Sequence, residues 1–122
     1  MTDVVALGEL LIDFACQSVD ETGYPTMAAH PGGAPANFLA ALAKFGAKAA
    51  LMGKVGTDAF GKMLTATLSD AGISTEGMLF DDDFFTTLAF VTFDDTGDRA
   101  FSFARKPGAD TQISFEELNL SL

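Results

Sequence analysis

An α/β fold, with a mostly parallel sheet, flanking helices and one β-hairpin, is predicted for this chain by three observations. Short apolar runs alternate with stretches of helical period, Gly46 and Gly72 fall just past those stretches, and two runs of period-two alternation flank the acidic turn Asp94-Asp95-Thr96-Gly97-Asp98. Strand–helix–strand–helix order implies crossover connections and parallel pairing. The hairpin follows from alternation on either side of a Gly- and Asp-rich turn.

Each element has its own reason. Val4 to Leu7 is a β-branched apolar run ending at Gly8, and Leu10 to Phe14 follows at once; continuous apolar runs suit strands covered on both faces. Residues 15–30 lose that character and hold Gly23 and Pro25, which predicts a loop with short edge strands. Phe38, Leu39, Leu42 and Phe45 stand at helical spacing, so residues 36–45 form a helix that Gly46 ends. Ala49 to Gly56 is the next strand. Phe60, Met63, Leu64, Thr67, Leu68 and Ala71 make a second amphipathic helix closed by Gly72. Residues 86–106 carry the hairpin, with alternating Leu88 and Phe90 on one arm and Phe101, Phe103 and Arg105 on the other. Ser114 with Glu117 reads as a capping box opening a further helix.

Composition narrows the function classes. The 122 residues make at most one domain, and 48% hydrophobic content supports a packed core. Seven basic and seventeen acidic residues leave a net charge of −10, which speaks against nucleic acid and anionic membranes as partners. The Asp81–Asp83 and Asp94–Asp95 runs are read as solvated loops, with a hard-cation site as the lesser alternative. The single cysteine, Cys16, fits a reducing cytoplasm and is read as a small buried residue. The N-terminal residues lack signal-peptide character, and no apolar run is long enough to span a bilayer. His30, beside Pro31, is read as a loop histidine.

Three features could carry chemistry. In PGGAPANFLAALAKFG (31–46), Gly32 and Gly33 allow close backbone approach, Pro35 suits a first helical position, and Asn37 stands in the first turn. No phosphate-binding glycine motif is present and no basic residue lies between Gly32 and Ala43, so a neutral, hydroxyl-bearing ligand fits better than a charged one. Asp13 closes an apolar strand, at the strand end where open α/β sheets bind ligands, and a carboxylate accepts two hydroxyl hydrogen bonds. Arg105 shares a hairpin face with Phe101 and Phe103, so it could reach a ligand over an aromatic floor. Plainer readings stand beside these: a helix-entry turn, a capping or surface aspartate, and an exposed arginine on a flap.

Together, GELLIDF (8–14), PGGAPANFLAALAKFG (31–46) and GKVGTDAFG (53–61) resemble the N-terminal half of the ribokinase-like (PfkB) carbohydrate kinases. Gly32, Gly33, Asn37, Gly46 and Gly56 match the first signature of that family, and the GGAPAN form with DDTGDRAFSFARKPGAD is most similar to fructokinases. The resemblance implies transfer of a phosphoryl group from ATP, with Mg2+, to a sugar hydroxyl. It implies that Asp13 and Asn37 bond sugar hydroxyls, that Gly32 and Gly33 form the pocket floor, and that segments about 15–30 and 86–106 form a lid. It also allows a homodimer through that lid. Arg105 falls where related 2-keto-3-deoxygluconate kinases contact their ligand, and Phe103 stands where those enzymes commonly carry tyrosine, which favours fructose. The second family signature, with its catalytic aspartate and anion hole, is absent from these residues. The chain is therefore expected to be the N-terminal, sugar-binding part of a ribokinase-like domain, inactive alone, with the catalytic base and nucleotide pocket in a C-terminal part. The alternatives are a 2-keto-3-deoxygluconate kinase and a non-catalytic sugar-binding module.

Overall fold

The computed structural model describes residues 1–122 as two sheets and two helices. Strands β1 (Val4–Leu7), β4 (Ala49–Gly56) and β5 (Ile73–Asp81) form a parallel sheet in the order β1-β4-β5. Strands β2 (Leu11–Val19), β3 (Pro25–Gly32), β6 (Leu88–Phe93) and β7 (Arg99–Ala104) form a mixed sheet in the order β3-β2-β6-β7. In it, β2 runs parallel to β6, while β3 and β7 flank them antiparallel.

Helices α1 (Ala34–Lys44) and α2 (Ala59–Asp70) pack on one face of the parallel sheet. Leu39 from α1 and Leu64 and Leu68 from α2 meet Leu51, Val55 and Ile73 there. Leu10 and Ile12 join the same core and so lock the two sheets together. Strand β4 is buried along its whole length, as its continuous apolar run demands. Its other face, carrying Ala50, Met52 and Lys54, is covered by the C-terminal segment: Lys54 Nζ donates to Gln112 O (3.0 Å) and Glu117 Oε1 (2.7 Å) and lies 3.6 Å from Asp81 Oδ2. No helix is long and apolar enough to cross a membrane.

Several expectations need correction. Residues 15–30 are not a loop: β2 and β3 form a long antiparallel ribbon whose polar, half-exposed outer turns hide the alternation. His30 accordingly lies in a strand, directly opposite Asp13, and Asp13 is the third residue of β2, near its start and not at a strand end. Strand β5 had no counterpart in the sequence reading, because Ser74, Thr75, Glu76 and Gly77 interrupt its apolar residues. The Ser114–Glu117 capping box forms, yet it opens only a single 3₁₀ turn, Phe115–Glu117. Asp81 is not simply solvated: it accepts from the N–H groups of Asp83 and Phe84 and pairs with Lys54. Cys16 is only partly buried.

Candidate functional site

The register of the mixed sheet sets His30, Asp13, Ala89 and Phe103 in one row across β3, β2, β6 and β7. Paired residues on neighbouring strands project from the same face. That face therefore presents an imidazole, a carboxylate, a methyl group and a benzyl ring side by side. Ala28, Ala15, Val91 and Phe101 form the next row. The rings of Phe101 and Phe103 stack, with centroids 6.3 Å apart and planes at 13°, and both stay about half exposed. Asp13 stands at a groove of about 380 Å3 that Val91, Phe93, Arg99 and Phe101 also line.

The hairpin's two aromatic arms do not share a face. Phe90 lies against Phe14 (5.3 Å, stacked), and Phe14 meets Phe60 of α2 edge-on (5.5 Å). Those rings anchor the mixed sheet to the body, while Phe101 and Phe103 look away from that contact.

Gly32 and Gly33 do different jobs. The Asp13 carboxylate lies over Gly32, where a Cβ would overlap its Oδ2. Gly33 opens α1 with φ 112°, and a Cβ there would come within 2.6 Å of the Glu9 carbonyl oxygen. Only glycine adopts that backbone shape readily. Asn37 donates its backbone N–H to Gly33 O (3.0 Å), as the first helical turn requires. Its side chain is not in the Asp13 row; it lines a small apolar cavity of about 60 Å3 between α1 and α2, together with Gly32, Leu64 and Leu68.

Arg105, just past β7, is paired with acidic side chains and is not simply an exposed arginine on a flap. Its Nη2 donates to Glu9 Oε2 (3.0 Å) and to Asp110 Oδ2, and its Nε reaches Asp110 Oδ1 at 3.4 Å. The Asp110 side chain is 1% exposed and also accepts from Thr87 Oγ1. Burial opposes the guanidinium's charge, but the hydrogen bonds and charges of Asp110 and Glu9 outweigh it and raise the Arg105 pKa. Nη1 donates to no protein group.

Asp13, Gly32 and Phe103 thus share one sheet face, and Glu9 pairs with Arg105. Sequence reasoning missed Glu9, Asp110, Thr87 and His30. Glu9 had a signal in its place directly after the β1 run; Asp110 had one only in its five-residue spacing from Arg105.

The fold is that of the ribokinase-like sugar kinases. Residues 1–121 match the family model described as pfkB family carbohydrate kinase, and the chain belongs to that family. It is 46% identical to fructokinase-1 of Oryza sativa subsp. japonica, over 98% of this chain and 38% of that protein. It superposes on the crystal structure of fructokinase from Xylella fastidiosa with a TM-score of 0.92 and 35% identity, covering 97% of this chain and 37% of that one. The structure of the Xylella fastidiosa fructokinase with bound ATP aligns with a TM-score of 0.87 and 35% identity, over 95% of this chain and 34% of that one. The chain thus spans little more than a third of the length of the relatives it matches.

Proposed function

We propose that this chain supplies the sugar-binding part of an ATP-dependent fructokinase, which transfers a phosphoryl group to a hydroxyl of fructose. One observation carries the reading: Asp13 lies over Gly32 in the cross-strand row that Ala89 and the exposed ring of Phe103 continue, on a face of the four-stranded mixed sheet. A carboxylate there accepts hydroxyl hydrogen bonds, and an aromatic ring covers the apolar face of a sugar. The fructokinase relatives support the choice of substrate, and the ATP-bound structure supports the choice of phosphoryl donor.

In this reading Asp13 orients the sugar and Gly32 admits it to the backbone. Gly33 and Asn37 shape the entry of α1 beside it, Phe103 covers it, and Arg105 steadies the rim of the site. Segments about 15–30 and 86–106 act as a lid that excludes water during transfer, and they offer the surface for a homodimer. When bound, ATP would supply the phosphoryl group and Mg2+ would offset its charge. These residues do not themselves fit either group: no cluster of three or more His, Cys, Asp or Glu could hold a metal, and no glycine-rich cradle with a free cation awaits a phosphate. In this reading the nucleotide, the metal and the base that takes the hydroxyl proton belong to polypeptide outside these residues, and the chain alone is inactive. The acidic composition and single cysteine suit a cytoplasmic enzyme.

The test is a screen of the full-length enzyme containing this sequence against fructose, ribose and 2-keto-3-deoxygluconate with ATP and Mg2+. The highest kcat/KM is expected for fructose. Failure to phosphorylate any of the three overturns the reading.

A further inference from the structure

The guanidinium of Arg105 is committed on two sides. Glu9, from the connection between β1 and β2, takes one hydrogen bond; Asp110, almost wholly buried, takes two and is itself held by Thr87. Two carboxylates around one guanidinium leave the cluster with a net charge of −1. The cluster is partly open to solvent, the side chains of Arg105 and Glu9 being each about 30% exposed. Arg105 continues the alternation of Phe101 and Phe103, and the Glu9 carbonyl oxygen occupies the space where a Cβ of Gly33 would point, next to the Gly32 that carries the Asp13 carboxylate, so the cluster borders the face of Asp13. Asp13 adds a further negative charge to that face. An arginine that faced a ligand alone would favour a carboxylate; this one has its charge more than cancelled before any ligand arrives.

We propose that Glu9 and Asp110 are specificity-determining residues: by neutralising Arg105 in advance, they make the site accept uncharged sugars and reject sugar acids. This rests on the reading of the site as a kinase's sugar pocket and goes beyond it by naming what excludes a substrate class. Rejection of a competitor by an uncompensated like charge is as effective a source of specificity as a new contact to the right ligand. Arg105 then serves the neutral sugar through its uncommitted Nη1, as a hydrogen-bond donor instead of a counter-ion.

The experiment uses the full-length enzyme with the variants Glu9→Gln and Asp110→Asn. The readout is the inhibition constant of 2-keto-3-deoxygluconate competing with fructose, divided by the fructose KM. Each variant removes one negative charge and is expected to lower that ratio about tenfold. A loss of packing alone would weaken both ligands and leave the ratio in place. Glu9→Gln lies at a partly exposed site and keeps the test decisive if Asp110→Asn does not fold. A ratio unchanged within twofold in the folded variants overturns the proposal, as does a wild-type enzyme that prefers the sugar acid. A wild-type enzyme that phosphorylates no sugar overturns the kinase reading first and this one with it.

Discussion

Asp58 and Thr86 are joined by two hydrogen bonds: Asp58 Oδ2 accepts from the backbone N–H (2.9 Å) and the hydroxyl (3.0 Å) of Thr86. The other oxygen of Asp58 caps α2, accepting from the N–H groups of Phe60 and Gly61 at 3.0 Å each. Thr86 Oγ1 in turn accepts from Gly56 N (3.0 Å) at the end of β4. One carboxylate therefore ties the start of α2, the end of β4 and the segment leading into β6. Asp58→Ala is expected to destabilise the protein by about 3 kcal/mol, a lost N-cap plus two lost buried bonds. Urea unfolding of the full-length enzyme measures it, and a loss below about 1 kcal/mol would remove Asp58 as a structural hub.

The same carboxylate sets a pH dependence. Burial pushes the Asp58 pKa up, but the hydrogen bonds from Thr86 and Gly61 prevail and hold it below the ordinary 3.8. A folded-state pKa below the unfolded one contributes stability that is complete above the unfolded value and fades as pH falls through the folded value. The stability gap between wild type and Asp58→Asn should therefore be constant near neutrality and narrow below about pH 4. A gap that widens on acidification would contradict the assignment.

Gly32 and Asp13 make a matched pair of tests. A Cβ at Gly32 would overlap the Asp13 carboxylate, while the backbone there has no left-handed φ to strain. Gly32→Ala should displace the carboxylate and raise the fructose KM, with little change in KM for ATP. Asp13→Ala should cost about 2–3 kcal/mol in kcat/KM for the sugar, the scale of a lost charge-assisted hydrogen bond. If both variants keep wild-type sugar kinetics, Asp13 is not a sugar ligand.

Gly33 differs from Gly32 in its backbone, which adds a structural demand to its expected place in the pocket floor. At φ 112°, with the Glu9 carbonyl oxygen 2.6 Å from an added Cβ, an alanine meets backbone strain and a clash together. Gly33→Ala is expected to lower Tm by several degrees, consistent with a cost of at least about 2 kcal/mol. A normal melting temperature with a raised sugar KM would return Gly33 to the pocket floor.

Lys54 is the one buried lysine of the core, and its partners Gln112, Glu117 and Asp81 hold the C-terminal segment and the end of β5. Its hydrogen bond to Glu117 outweighs burial and raises its pKa, and the same bond lowers that of Glu117. Lys54→Met keeps the stem and removes the donor. Hydrogen exchange across residues 112–118 should speed up markedly while β4 stays protected. Uniform protection in the variant would show that apolar cover alone holds the segment.

What could be read from residue order was local. The helices over 34–44 and 59–70, the buried β4 run and the hairpin turn are written in short-range periodicity and in glycines that end helices, because backbone propensity and burial of one face act over a few residues. Asp13, Gly32 and Phe103 could be nominated for the same reason, as residue types that stand out from their immediate pattern. Their meeting in one place could not be. Only pairing of β2 with β6 brings Asp13 beside Ala89, 76 residues away in the chain, and only pairing of β6 with β7 brings Phe103 into the row. The ribbon of β2 and β3 and the strand β5 escaped because half-exposed strands carry a weak hydrophobic period and owe their structure to partners. The pairing of Glu9, Arg105 and Asp110 was hidden as well: ion pairs depend on distances of a few ångströms, which no spacing in sequence sets, so the fold alone decided that this arginine lies between two carboxylates.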